Sequence, residues 1–245
     1  MVVKNTTSRH KAYKATLDKG YAAEWNDDHI DDYTDEISFQ TLRIGYAVGT
    51  EWSTAQTSGG SAPVWTLVGA AGSGHAFVVF NTGGTTNNVS SMRYMLGGAA
   101  GNITSIDDLP IMTFTMQIDT VHTAGKVVEA GLIPSATALF TANQDGAYFR
   151  MNNDTLYAVT GDGANETATD LGAFDEYAQY RILITTSGAT TRVYFYVDDM
   201  VNAAAVHTTN LPDADMTMKI SVISANNVDS TIRVDACALQ VLRKQ

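Results

Sequence analysis

From Ser38 onward the chain alternates short runs of β-branched and aromatic residues with clusters of Gly, Asn, Asp, Ser and Thr. Thirteen runs read as strands: SFQTLRIGYAV, PVWTLVG, HAFVVFN, SMRYML, IMTFTMQID, KVVEAGLI, GAYFRMN, TLYAVTG, YAQYRILITT, TRVYFYVDD, AAVHTT, DMTMKISVI and STIRVDACALQVL. In TRVYFYVDD, Val193, Phe195 and Val197 fall on one face and Arg192, Tyr194 and Tyr196 on the other. In YRILITT, Ile182 and Ile184 oppose Arg181, Leu183 and Thr185. A period of two with one richer apolar face marks a half-buried strand. The intervening clusters, such as NTGGTTNN, TGDGANET and TSGATT, supply the positive-φ and Asx-turn positions of tight connections. Over residues 38–245 this pattern predicts two packed antiparallel sheets.

Gly20–Ile37, GYAAEWNDDHIDDYTDEI, departs from it. Trp25, His29, Tyr33 and Ile37 recur every four residues, while Asp28, Asp31, Asp32 and Asp35 fall at i, i+3, i+4 and i+7. The spacing predicts a short helix with one aromatic and one acidic stripe. Asn26 is placed to cap it, with Asp27 and Asp28 at its positive end. Like charges at i, i+4 cost about 0.2–0.5 kcal/mol per pair, so the acidic stripe calls for a partner.

Composition narrows the classes. Of 245 residues, 44% are hydrophobic and 17% charged, which suits a globular domain. The net charge of −11 argues against nucleic acid as a partner of the body. No apolar run reaches the length of a membrane-spanning helix, so no membrane insertion is expected. The opening MVVKNTTSRHKAYK lacks the apolar core of a signal peptide, so synthesis in the cytoplasm is expected. The single Cys237 excludes an intrachain disulfide framework and a multi-cysteine zinc site, and its place in VDACALQVL reads as a small strand residue. Residues 1–20 carry Lys4, Arg9, Lys11, Lys14 and Lys19 against Asp18; residues 21–37 carry seven carboxylates and no Lys or Arg. A basic arm followed by an acidic block is the pattern of an appendage, and residues 1–37 are read as an assembly and docking segment.

Thr113–Leu242 resembles the concanavalin A-like lectin/glucanase jelly roll, also seen in laminin-G-like domains. The likeness is carried by MTFTMQIDTV with VVEAGLI, by GAYFRMNNDTLYAVTGDGANETATDL, and above all by EYAQYRILITTSGATTRVYFYVDDMVNAAAVHTTNLP, closed by TIRVDACALQVL. A short polar leader with an A-x-x-W-N-x-x-H element, here AAEWNDDH, ahead of a Gly/Thr/Asn-rich jelly roll is similar to surface proteins of tailed-phage and related virions. The expected fold is therefore an all-β jelly-roll sandwich preceded by an arm and helix.

The resemblance implies a non-enzymatic virion structural protein, a capsid decoration, fibre or tail surface protein. Its partners would be copies of itself, a trimer among the options, and a major capsid or tail protein. In this docking scheme Trp25, His29, Tyr33 and Ile37 bury into the neighbour. Lys4, Arg9, Lys11 and Lys14 pair with Asp28, Asp31, Asp32 and Asp35 of another copy. The competing reading is a carbohydrate-binding module or receptor-binding tip for a host surface glycan, with Trp52, Trp65, Tyr148, Tyr194 and Tyr196 as candidate stacking rings. A glucanase-type glycoside hydrolase is the third, but retaining hydrolysis needs two carboxyls about 5–5.5 Å apart and the family's E-x-D-x-E spacing is missing. No cofactor is required. Lectins of this class take calcium, for which Asn143, Asp145, Asn152, Asp154 and Asp162 are the candidate oxygen ligands. The five His residues show no ligand spacing to one another, and neither G-x-S-x-G nor a P-loop lysine is present.

Overall fold

The computed structural model describes residues 33–38, 52–56, 61–68, 75–94, 101–118, 126–135, 142–174, 177–187, 189–199, 201–224 and 231–242. These form strands β1 (Tyr33–Ser38), β2 (Trp52–Gln56), β3 (Ser61–Val68), β4 (His75–Asn81), β5 (Val89–Tyr94), β6 (Ile111–Ile118), β7 (Lys126–Ile133), β8 (Gly146–Asn152), β9 (Thr155–Gly161), β10 (Glu166–Ala173), β11 (Tyr177–Ser187), β12 (Thr190–Val197), β13 (Ala205–His207), β14 (Thr217–Ser224) and β15 (Thr231–Leu242). Among the described residues the helical element is a single 3-10 turn, Ile106–Asp108.

The strands make two antiparallel sheets. One runs β13-β12-β11-β6-β15-β4-β3, with β1 added against the far end of β15; the other runs β10-β9-β8-β7-β14-β5-β2. Each sheet turns one face to a shared core. Met112, Phe114 and Met116 of β6, Tyr180, Ile182 and Ile184 of β11, and Val193 and Phe195 of β12 meet Ala147, Phe149 and Met151 of β8 and Met218, Ile220 and Val222 of β14. Four rings form the centre. Phe114 stacks on Tyr180 at 5.0 Å, and Phe149 meets Tyr180 and Phe195 edge-on at 5.0 and 5.3 Å. Burying one such side chain contributes roughly 1.5–3 kcal/mol, and edge-on geometry adds to that.

Register follows from which residues must face inward. On β15, Ile232 and Val234 are core residues, and so is Leu239, of opposite parity. Strict alternation would turn Leu239 out to the other face. A bulge between Val234 and Ala236 inserts one residue and resets the alternation, so that Leu239 pairs with Met112 of β6. The two halves of β15 then serve different neighbours: Thr231–Val234 pairs with β4, and Ala238–Leu242 pairs with β1.

β1 corrects one expectation. Tyr33, Asp35 and Ile37, expected on a helix, lie in a strand whose partners include Leu242, Val241 and Leu239. Residues 1–32, including Lys4, Arg9, Lys11, Lys14, Trp25, Asp28, His29, Asp31 and Asp32, lie outside the described residues. Two further strands, β2 and β10, were absent from the sequence pattern; β10 (ETATDLGA) is an edge strand that exposes much of its surface.

Candidate functional site

Inward-facing Phe149 and Met151 leave Tyr148 and Arg150 no option but the opposite face of the seven-stranded sheet. Pairing carries that parity across the neighbours. Arg150 stands opposite Glu129 of β7 and Tyr157 of β9; Glu129 stands opposite Ser221 of β14; Lys219 stands opposite Arg93 of β5 and Gly131 of β7. Glu166 of β10 joins from the edge. A Cβ at Gly131 would lie 2.5 Å from Cα of Tyr148, so this close approach of β7 to β8 is available only to glycine.

This outer face is polar yet largely buried. Glu129 is 0% exposed, Ser221 0% and Lys219 5%. The arginine organises it. Arg150 Nε donates to Glu129 Oε1 at 3.0 Å, while Nη1 and Nη2 donate to Glu166 Oε1 and Oε2 at 2.8 and 3.0 Å. Nη2 also donates to Tyr148 Oη at 2.8 Å, and Tyr148 Oη donates to Glu166 at 3.3 Å. Gln144 Nε2 donates to the second Glu129 oxygen at 3.4 Å. The geometry is bidentate toward Glu166, the arrangement that a planar guanidinium favours. Burial alone would lower the Arg150 pKa, but the hydrogen bonds and charges of its neighbours hold it above its ordinary value. Burial pushes the Tyr148 hydroxyl up; Arg150 opposes this, and Glu129 and Glu166 reinforce it. Lys219 is pushed down to about 8, first by burial and then by Arg93, against the pull of Glu129. Two buried polar atoms on this face have no hydrogen-bond partner, Gln144 Oε1 and Ser221 Oγ.

The sequence-derived candidates are dispersed by the structure. Tyr148 belongs to this face but is fully buried. Tyr194 and Tyr196 stack on each other at 6.4 Å on the outer face of the other sheet, where Tyr196 is 1% exposed. Trp52 and Trp65 lie on β2 and β3, in different sheets. The five aromatics therefore make no single platform, and buried Tyr148 and Tyr196 present no open ring face. The oxygen ligands also divide. Asn152 and Asp154 flank the β8–β9 turn, and Asn143, Asp145 and Asp162 lie at the opposite end of β8, about 20 Å away for a seven-residue strand. Among the described residues, no group of three or more His, Cys, Asp and Glu side chains converges as a metal site. The carboxylate beside Asp145 is Asp213, which no spacing along the chain singles out.

Comparison with solved structures places the architecture. The chain superposes on the carbohydrate recognition domain of Emp47p with a TM-score of 0.57, 13% identity, and coverage of 86% of this chain and 95% of that one. It is similar to protein SO2946 from Shewanella oneidensis MR-1, solved as a protein of unknown function (TM-score 0.54, 11% identity, 86% and 89% covered). A native glycosidic hydrolase gives a TM-score of 0.52 at 11% identity, with 86% and 96% covered. The fold is a concanavalin A-like jelly roll. No protein-family model matches the sequence, and no curated protein matches it. At these identities the likeness concerns the fold, and the chemistry of this jelly roll rests on its own side chains.

Sequence reasoning passed over Glu129, Arg150, Tyr157, Glu166 and Lys219. The signal was present for two of them: alternation in GAYFRMN and TLYAVTG puts Arg150 and Tyr157 on faces opposite Phe149 and Leu156. Removing one partner of a buried ion pair leaves the other uncompensated, at a cost of about 3–5 kcal/mol. Arg150→Met is therefore expected to lower unfolding stability by about 3 kcal/mol in urea titrations, and Glu129→Met/Arg150→Met to recover most of it. Equal losses in the single and double variants would show that the pair is not the determinant.

Proposed function

We propose that this jelly roll is a non-enzymatic recognition module that binds glycan along the outer face of β7–β10, carried on a virion surface by its N-terminal segment. One observation carries the binding reading: half-buried Tyr157 stands directly across from Arg150, whose guanidinium is fixed from two sides by Glu129 and Glu166. An aromatic flank beside preorganised planar polar groups is the chemistry that orients a sugar ring and its hydroxyls. Gln144 Oε1 is an acceptor awaiting a donor, and a sugar hydroxyl is one.

The same clamp speaks against hydrolysis. A retaining glycosidase needs one carboxyl to hold a proton and a second free to attack. Here both carboxylates accept hydrogen bonds from one guanidinium. A glycan array on the folded protein is expected to give at least one ligand near micromolar affinity. Tyr157→Ala should weaken it about tenfold without loss of fold. Failure across all sugar classes would return the module to a purely structural role.

The attachment reading rests on the charge split of residues 1–37 and on β1, which ties the end of that segment to the edge of β15. The segment joins copies of the protein to one another and to a capsid or tail protein. Truncation before Tyr33, which spares β1, should leave a soluble sandwich that no longer assembles; normal assembly of the truncated chain would sink this part.

Calcium, which a lectin-like fold implies, fits one place here. Burial and the adjoining Asp213 carboxyl push Asp145 up from 3.8 to about 6, and Asp145 Oδ1 is buried with no partner. Two facing carboxylates with a spare oxygen suit a hard cation, and Asp145 and Asp213 would hold it. The sign is clear. A raised carboxyl pKa gives stability that is present below 3.8 and lost as pH rises through about 6. A cation selects the ionised pair and restores that stability. Calcium is therefore expected to raise Tm at pH 7.5 but not at pH 4.5, and Asp145→Asn to abolish the response. An unchanged Tm at pH 7.5 would exclude calcium at this pair.

A further inference from the structure

β10 ends the seven-stranded sheet, and its far side meets no strand among the described residues. The turn before it sets the phase of its backbone. Asp162 N–H donates to the Asn165 carbonyl at 3.2 Å, so that pair is hydrogen-bonded. Bonded and non-bonded pairs alternate along an antiparallel ladder. Thr167 and Thr169 therefore bond to Thr160 and Ala158 of β9, while Glu166, Ala168 and Asp170 turn their N–H and C=O groups away from the sheet. Ala168 and Asp170 are exposed, and Glu166 is half-buried. The register shifts between Asp170 and Gly172, where Asp170 Oδ1 takes the Gly172 N–H at 2.7 Å and a Cβ on Gly172 would meet nothing within 4 Å. The open run is thus Glu166–Asp170. Other edges offer less: β13 has three residues, and β3 has a register shift between Ser61 and Val64.

This edge is acidic. Arg150 holds both Glu166 oxygens. Asp170, Asp162 at the β9–β10 turn and Asp154 at the β8–β9 turn pair with no cation among the described residues. Full overlap of two β10 edges about Ala168 would set Asp170 of each copy opposite Glu166 of the other, and like charges directly opposite destabilise a sheet. A basic strand suits the edge better than a second β10. The chain carries such a segment. Residues 1–19 hold Lys4, Arg9, Lys11, Lys14 and Lys19 against Asp18, with neither Pro nor Gly to interrupt a ladder. Asp35 lies on β1, so the helical stripe expected to receive these cations lacks one of its four carboxylates. As a strand, Lys4 to Lys14 would span about 34 Å, enough to cover β10 at about 24 Å.

We propose that the free edge of β10 receives the basic arm, residues 1–19, of a second copy as an added strand. The inference rests on the attachment reading above and names the surface that takes the arm. The arm's backbone pairs with Glu166–Asp170, and its cations meet Asp154, Asp162 and Asp170. Main-chain hydrogen bonds supply the affinity, and the charges select the partner. The added strand extends the sheet in its own plane, so it does not cover Tyr157 and Arg150.

The test follows the mass of the full chain by sedimentation over a concentration series. Ala168→Pro removes an N–H that faces away from β9, so it spares the native ladder and blocks the added one. Asp170→Lys places a lysine on the edge, a device that blunts natural edge strands. Each is expected to weaken self-association about tenfold, with an unchanged circular dichroism spectrum. Excess synthetic peptide of residues 1–19 should dissociate the native assembly, and the same peptide carrying Arg9→Glu, Lys11→Glu and Lys14→Glu should not. Raising salt from about 0.1 to about 0.5 M should also weaken the assembly. Variants that associate as tightly as the native chain would overturn the edge and leave the attachment reading standing. A native chain that stays monomeric throughout would remove self-association from that reading, and the edge pairing with it.

Discussion

Phe149 is wedged between Tyr180 and Phe195, and the chemistry of the molecule follows from that contact. A strand has two faces and a period of two, so fixing Phe149 in the core fixes Tyr148 and Arg150 on the outside. Hydrogen-bonded pairing then aligns Glu129, Tyr157, Lys219 and Arg93 on the same surface with no further choice. The core does not merely stabilise the site. It sets which residues can belong to it.

Placing Glu129 in that surface is costly. A carboxylate with no exposed area needs a cation and further donors, and Arg150 and Gln144 provide them. A buried ion pair of this kind adds little net stability over an apolar pair of similar volume, so its presence points to a different selective reason. The arginine reaches Glu129, Glu166 and Tyr148 together, across three strands. Such a lock holds the guanidinium plane in one orientation.

The legible part of the sequence was what local alternation determines. Val193, Phe195 and Tyr194 fall on the faces that the pattern assigned, and so do Ile182 and Ile184. The illegible part was what only tertiary pairing determines. Trp25, His29, Tyr33 and Ile37 repeat every four residues, and four is close to one helical turn but is also two strand periods. Spacing alone could not separate the two, and the partner that makes Tyr33–Ser38 a strand lies some two hundred residues away, at Ala238–Leu242. β10 was hidden for the opposite reason. Its ladder with β9 holds it, and with Leu171 its main tie to the core it shows no apolar alternation to read. Glu129 and Lys219 went unnoticed because alternation in KVVEAGLI or TMKISVI does not reveal that both faces of β7 and β14 are buried.

The two sheets also meet where the aromatic core runs out, at the edge strands β10 and β13. There His207 bridges them, its Nδ1 2.9 Å from Thr160 Oγ1 and its Nε2 2.9 Å from Thr169 Oγ1, with the ring 5.1 Å from Phe195. Burial lowers the imidazole pKa, so the neutral ring is the favoured form. Each threonine hydroxyl can donate or accept, so either tautomer is satisfied. The seam is closed by polar groups without a buried charge, whereas the outer face of the same sheet holds a carboxylate, a lysine and two arginines close together. The seam is closed by neutral hydrogen bonds around His207, and the outer face of the seven-stranded sheet by charged ones around Arg150.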